Sequence, residues 1–399
     1  MVEQDEILKL HAAHTGVLDI HSDLAVTDKA DLGKAYTPGV AVISKLIAAH
    51  PELKAKYTMS GKLVALITDG SAVLGLGNIG PAGGLPVVEG KALLYKNLAG
   101  INAIPLALNQ VSVPAMVATI KNMSLSFAGI HLEDITAPKC FELEAALKDE
   151  LDIPVYHDDQ EGTAIVVLAG LINAAHVVGK SLRQMRIVVN GVGASGLATA
   201  RLLAAVGVKQ LTLVDVYGVV TADDQRYNQY QRNLAKQLGT PAQLKGQPLA
   251  KVMADQDVFI GLSDANVLSA GAVHLMNHDP IVFALANPVP EINPAVAEKA
   301  GATVIATGSS QYPNQVNNIL AFPGLFKGLL TNGVKQVDNA LQIQVAQALA
   351  KTVSNPTATT IVPSVFDSQV VPNVTAAVAA YAQAQHLSLI HISEPTRRR

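Results

Sequence analysis

Short apolar runs recur along the chain, each closed by a turn and followed by a helical pattern. LVALITDG (63–70), INAIPLAL (101–108), FAGIHLED (127–134) and IPVYHDD (153–159) form a first series. They are apolar almost without interruption, the pattern of parallel strands buried on both faces. VPAMVATIKNMS and APKCFELEAALKDEL read as helices between them, the second opening with Pro in its first turn. A long apolar helix is predicted from about Gly162 to Val178. A second series starts near Gln184, with MRIVVNG (185–191), the helical SGLATARLLAAVG, QLTLVDVYG (210–218), DVFIGLSD (257–264), PIVFALANP (280–288) and ATVIATG (302–308). After Phe322 the pattern is mostly helical, with a proline-marked loop at IVPSVF (361–366). The expectation is an α/β protein of two units meeting near residue 160, with C-terminal helices.

Composition narrows the class. A chain of 399 residues suits two or three domains. With 49% hydrophobic and 15% charged residues it is not a disordered or linker-type protein. Lys and Arg number 29 against 32 Asp and Glu, so no basic excess points to nucleic acid or an anionic membrane. Cys140, the single cysteine, can form neither an internal disulfide nor a thiolate cage, which predicts a cytoplasmic protein. The opening MVEQDEILKLHAAH lacks the pattern of a signal peptide. The longest apolar stretch, Ala164 to Gly179, is interrupted by Asn173 and His176 and reads as a buried helix, not a membrane span. The end, from Leu387 to Arg399, changes composition abruptly. Its ISEPTRRR resembles a translated cloning or sequencing-adapter scar, so residues 387–399 are expected to be a non-native tail, the alternative being a genuine basic tail.

Two patterns carry chemistry. GVGASG places Gly191, Gly193 and Gly196 directly after a strand, with Ala194 and Ser195 opening the next helix. The first glycine permits a tight turn, the second lets backbone approach a pyrophosphate, and the third lets helix and strand pack closely. The free amides of the helix N-terminus then meet the phosphates. Asp215 ends the next strand, 19 residues after Gly196. A carboxylate there accepts the ribose hydroxyls of NAD and repels the 2′-phosphate of NADP. In the first unit, Glu133 and Asp134 end one strand, and Asp158 and Asp159 end another. They are either ordinary loop acids or a converging set whose repulsion a cation relieves. Hard oxygen ligands select Mg²⁺ or Mn²⁺. From the residues alone, Lys91 in LPVVEGKALLYKNLAG reads as a lysine snorkelling from an apolar helix. Tyr36 in KAYTPGVA reads as an aromatic packed on a turn.

AYTPGVA, TDGSAVLGLGNIGPAGGLPVVEGKALLYK, HLEDI, VYHDDQEGTA, FALANPVPEI and YPNQVNNILAFPG occur in an order that resembles the malic enzymes of the short bacterial type. The resemblance spans roughly residues 10 to 380. It implies a substrate and metal domain over 1–160, a Rossmann-type NAD-binding domain over 161–325, and helices over 326–386 packing back on the body. It implies Tyr36 as general acid and Lys91 as general base. It implies Glu133, Asp134 and Asp159 as ligands of Mg²⁺ or Mn²⁺, with Asp158 either close behind these ligands or on the substrate side. Asn287 and Asn318 would bind the substrate carboxylates, and Asn287 would also border the cofactor. The implied reaction converts (S)-malate to pyruvate and CO₂ through oxaloacetate, with NAD, in a homodimer whose N-terminal helices and Tyr36 lie near the interface. As a base, Lys91 needs a neutral amine and hence a depressed pKa.

Some positions depart from the family pattern. Ala72 stands where larger relatives carry an arginine. The typical DDQHG reads DDQEG, with Glu161. Ser309 and Gln311 replace an arginine and an aspartate, and Asp264 stands where an apolar residue is common. These leave the proposed catalytic set intact but admit a second reading, an oxaloacetate decarboxylase with little hydride transfer. An amino-acid dehydrogenase needs no metal, and a nucleotide-sensing module leaves the lysine, tyrosine and acids unexplained.

Overall fold

Residues 4–73 and 75–385 are described in the computed structural model, and two sheets organise them. The first contains β1 (Leu63–Thr68), β2 (Asn102–Ala107), β3 (Gly129–Glu133) and β4 (Val155–His157), in the order β2-β1-β3-β4. All its pairs are parallel, with Thr68 level with Glu133 and Leu132 level with His157. The C-terminal ends of β3 and β4 are therefore neighbours, and Asp134, Asp158 and Asp159 follow them at one edge. β1, β3 and β4 are buried throughout. β2 departs from the expectation of full burial, because it is an edge strand and its residues are largely half-buried. Pro105, which lacks an N–H for a second neighbour, is the sequence mark of that edge.

The second sheet contains β5 (Arg186–Asn190), β6 (Gln210–Asp215), β7 (Gly218–Val219), β8 (Val258–Gly261), β9 (Ile281–Ala284) and β10 (Val304–Thr307), in the order β10-β9-β8-β5-β6-β7. Only the β6–β7 pair is antiparallel. The strand expected over 210–218 thus ends at Asp215. Gly218, at φ +87°, begins the return strand, and a Cβ there would sit 2.5 Å from the Gly246 backbone. The chain passes from β5 to β6 on one side and later to β8 on the other, which opens a ligand crevice at the strand ends.

The helix Thr163–Val177 follows the first sheet and is buried over most of its length. Its polar interruption, Asn173, donates through Nδ2 to the carbonyls of Ala350 and Ile361, each at 2.9 Å. That satisfies a buried amide and ties the helix to the C-terminal part of the chain. No helix among the described residues is long and apolar enough to cross a membrane. The C-terminal helices are Phe322–Asn332, Asn339–Thr352 and Val370–Ala384. Gly324 and Gly328 let the first approach the third, since a Cβ at Gly328 would lie 2.5 Å from Val378 Cβ. Phe322 and Phe326 reach back onto the rings of Tyr95 and His131, and Phe326 also onto Tyr156, beneath the acidic edge.

At the other end, the helices Gln4–His14, Lys29–Ala35 and Gly39–Ala49 bury no residue, although the last reads GVAVISKLIAA. Residues 387–399 lie outside the described residues.

Candidate functional site

β3 and β4 deliver four carboxylates to one edge, and Lys91 reaches them from the helix Gly80–Leu94. Lys91 Nζ donates to Glu133 Oε2 at 2.6 Å and makes a short contact with Asp158 Oδ2. Its side chain is only 12% exposed and stands over the Phe322 ring, 5.3 Å from the centroid. The snorkelling reading of Lys91 is therefore corrected, because the amine turns inward to two buried acids. Burial works to lower its pKa, but Asp158, Glu133 and Asp159 outweigh burial and hold the group well above the usual lysine range. The depressed pKa expected of a base is thus not a property of the protein groups alone.

Each acid is held from behind. Tyr156 Oη donates to Asp158 Oδ1 at 2.5 Å. His131 Nε2 lies 3.0 Å from Glu133 Oε2, and its Nδ1 lies 2.8 Å from Tyr95 Oη. Burial depresses the His131 pKa to about 3, so the ring is neutral. The arrangement fits Nε2–H donating to Glu133 and Nδ1 accepting from Tyr95. Asp134 sits at φ +55°, where its N–H donates to Asp159 Oδ2 at 2.9 Å and its carbonyl accepts from Ala72 at 3.0 Å. Buried Asp69 braces the loop after Asp134. Its Oδ1 accepts from the Ser71 hydroxyl, which accepts from Thr136 N–H, and its Oδ2 accepts from Lys139.

Three of the four acids resist ionisation. Burial pushes Glu133 up to about 7 against the pull of Lys91. Burial, then Glu133 and Asp159, push Asp134 up to about 8. Burial and Glu133 push Asp159 up to about 6. For Asp158, burial is opposed by the Lys91 charge and by hydrogen bonds from Lys91 and Tyr156, and its pKa falls below the usual value. Glu133, Asp134 and Asp159 each offer one oxygen, and these oxygens lie within 4.8 Å of one another. Asp134 Oδ2 is buried with no hydrogen-bond partner among the described residues. A crowded oxygen set with an orphaned carboxylate oxygen suits a hard divalent cation. His131, Glu133 and Asp158 are equally close together. There, however, Lys91 already bridges the two acids, and His131 is committed to Glu133.

The glycine turn has the geometry its spacing predicts. Gly191 lies at φ +91°, and a Cβ there would sit 2.3 Å from Leu262 O. A Cβ at Gly196 would sit 1.8 Å from Gly191 O, whereas at Gly193 it would meet nothing within 4 Å. Backbone can therefore be approached at Gly193, and the helix Ala194–Ala205 begins there without a side-chain cap. Asp215 Oδ2 accepts from Gln231 Nε2 at 3.1 Å, and Gln231 also donates to Val192 O at 2.9 Å. One glutamine thereby links Asp215 to the glycine turn.

Other expected residues are placed less decisively. Half-buried Asn287 follows β9, and Gly75 from the first unit faces its carbonyl, with an ideal Cβ 2.9 Å away. Buried Glu291 braces this loop, accepting from Ala286 N–H and Ser263 N–H, each at 3.0 Å. Asn318 opens a short turn packed against the turn of Asp158 and Asp159, and its side chain makes no hydrogen bond among the described residues. Tyr36 is not brought to the cluster. It is 66% exposed, and no hydrogen bond joins it to these acids.

Sequence reasoning passed over Tyr95, His131, Tyr156, Asp69, Gln231 and Glu291. Spacing offered a signal for three. Tyr95 is one helical turn beyond Lys91, and His131 and Tyr156 lie two residues before Glu133 and Asp158, which puts each pair on one face. For Asp69, Gln231 and Glu291 the partners are distant in the chain, and no local pattern marks them.

Residues 160–383 match the family model described as malic enzyme, NAD binding domain, and residues 19–114 match malic enzyme, N-terminal domain. The chain is 45% identical to an NAD-dependent malic enzyme of Geobacillus stearothermophilus, over 92% of this chain and 77% of that one. It is 44% identical to a bifunctional malic/malolactic enzyme of Bacillus subtilis (strain 168), over 99% and 98% of the two chains. A crystal structure of malic enzyme from Pyrococcus horikoshii superposes with a TM-score of 0.93 at 39% identity, covering 98% of this chain and 93% of that one. That of an NAD-dependent malic enzyme from Thermotoga maritima gives 0.90 at 40%, covering 95% and 99%.

Proposed function

The chain belongs to the malic enzyme family, and on that premise we propose that it carries out the NAD- and divalent-metal-dependent oxidative decarboxylation of (S)-malate to pyruvate and CO₂ by way of oxaloacetate. The observation that carries the proposal is the buried lysine bridging two acids beside a three-carboxylate oxygen set, in a chain with a complete dinucleotide turn. Glu133, Asp134 and Asp159 would hold Mg²⁺ or Mn²⁺, which would supply Lewis acidity toward the substrate.

Burial lowers the Lys91 pKa while Asp158, Glu133 and Asp159 raise it; a cation held by Glu133 and Asp159 would offset part of that pull and favour the neutral amine that a base needs. That amine takes the C2 hydroxyl proton while hydride leaves C2 for the nicotinamide. Asp158, fully buried with one oxygen on Tyr156 and the other on Lys91, orients the lysine amine. Asn287 and Asn318 bind substrate carboxylates, in a chain that has Ala72 where larger relatives carry an arginine. After CO₂ is lost, Tyr36 delivers a proton to C3. The exposed apolar helix Gly39–Ala49, with Ile7, Leu8, Leu10 and Leu32 exposed on the two more polar helices before it, supports a homodimer that covers them and shelters Tyr36 near the interface.

The direct test supplies malate, Mn²⁺ and NAD and follows NADH and pyruvate, with oxaloacetate in a parallel assay. NADH and pyruvate in equal amounts are expected. Pyruvate from oxaloacetate with no NADH from malate would select the decarboxylase reading. Lactate is measured as well, because the B. subtilis relative is also named for a malolactic activity.

Three variants extend the test. Asp215→Ala should raise the Michaelis constant for NAD about 10-fold or more, the loss of a charge-assisted hydrogen bond of ~1.5–3 kcal/mol. Gln231→Ala should raise it about 5-fold, the ~1 kcal/mol worth of a hydrogen bond that positions Asp215 without touching the cofactor. Unchanged values in both would detach Asp215 from the ribose. Tyr36→Phe should slow pyruvate formation while oxaloacetate is still made, read by trapping oxaloacetate with a ketone reagent.

A further inference from the structure

Glu161, one of the departures from the family pattern, has no part in the chemistry above, yet it is buried 6% exposed beside the two acids that do. It closes a network around the turn Asp158–Gly162. Lys148 Nζ, from the helix Lys139–Glu150, lies 2.7 Å from Glu161 Oε1 and 2.6 Å from Glu144 Oε1. Glu144 Oε2 accepts from Gln160 Nε2 at 2.6 Å. Glu161 Oε2 accepts from the His157 amide at 3.2 Å, and its Oε1 also accepts from Gln342 Nε2 at 3.2 Å. The turn is thus held by the His157 backbone amide just before Asp158 and by the Gln160 side chain just after Asp159, and both anchors lead to one ammonium. The turn has little slack of its own, since a Cβ at Gly162 would lie 2.1 Å from Asp158 Oδ1.

We propose that Glu161 and Lys148 are positioning residues, whose ion pair fixes the direction in which Asp158 and Asp159 leave β4 and thereby sets the geometry of the cation and lysine sites. Gln342 adds the helix Asn339–Thr352 to the clamp, so the C-terminal part of the chain bears on the acidic edge. The inference rests on Asp159 being a metal ligand. Groups standing behind metal ligands typically change metal affinity or activity by ~10–100-fold when removed.

The test compares Glu161→Ala, Lys148→Met and the double variant Glu161→Gln/Lys148→Met, reading Mn²⁺ affinity by electron paramagnetic resonance, kcat and KM for malate, and thermal stability. Glu161→Ala should weaken Mn²⁺ about 10-fold or more and lower kcat, with NAD affinity unchanged. Lys148→Met leaves Glu144 and Glu161 facing one another unpaired and should lose the most stability. The double variant removes both charges, so it should regain stability relative to Lys148→Met without regaining Mn²⁺ affinity. That separation is what a merely structural pair would not give. A stable double variant with native Mn²⁺ affinity overturns the proposal, as does Glu161→Ala with lowered stability and native affinity. Should Glu161→Ala not fold, the double variant decides. Asp159→Asn is measured alongside. If it leaves Mn²⁺ binding intact, the metal-site reading itself fails; if it alone weakens binding, only the clamp does.

Discussion

Lys91→Ala should lower malate oxidation by about 10³-fold or more, with NAD affinity unchanged. A positioned acid or base contributes ~10²–10⁴-fold, and this lysine is buried and bonded to two acids, so no solvent group replaces it in place. NAD affinity is spared because the glycine turn and Asp215 belong to the other sheet. Metal affinity supplies a second reading. Removing the ammonium leaves Glu133 and Asp158 more negative toward any cation, so Mn²⁺ should bind at least as tightly as to the unmodified protein. The measurements are NADH formation at saturating malate and Mn²⁺ titration. Turnover within a few-fold of the unmodified enzyme would remove Lys91 from its role, and weaker Mn²⁺ binding would make it a support for the metal site instead of a base.

Asp159→Asn should act in the opposite sense. The amide keeps an oxygen that can accept the Asp134 N–H, so the turn retains its hydrogen bond. It loses one of three negative charges around the oxygen set. Mn²⁺ affinity should fall about 100-fold or more, beyond the ~10–100-fold typical of groups one step removed from a metal. Malate oxidation and oxaloacetate decarboxylation should fall together, because both need electrons drawn from the same substrate oxygen. A variant that loses one half-reaction and keeps the other, or binds Mn²⁺ normally, contradicts the shared site.

Much of this architecture was legible before any coordinates. Continuous apolar runs marked β1, β3 and β4, and the strand, glycine turn and spaced Asp215 marked the nucleotide unit. Adjacent acids at the ends of β3 and β4 were readable as a converging set, since parallel neighbours place their C-terminal ends together. Less legible were features that depend on what lies across a gap. β2 carries the same apolar letters as its neighbours but stands at the edge. The strand at 210–218 stops at Asp215 because Gly218 turns back toward Gly246. Lys91 looked like a surface lysine, because nothing in its helix reveals that Glu133 and Asp158 await its amine.

Local patterns in the chain were enough to decide which segments become strands and helices, where the cofactor turn lies, and which acids share an edge. Those properties follow from periodicity, turn chemistry and backbone freedom, all of which act over a few residues. Whether Lys91 is charged, which tautomer His131 adopts, that Asp134 keeps an unpaired oxygen, and that Glu161 clamps the turn were settled by folding. Each depends on burial and on the sign of a group tens of residues away, and electrostatic energy in a dry interior is set by distance in space, not by order in the chain.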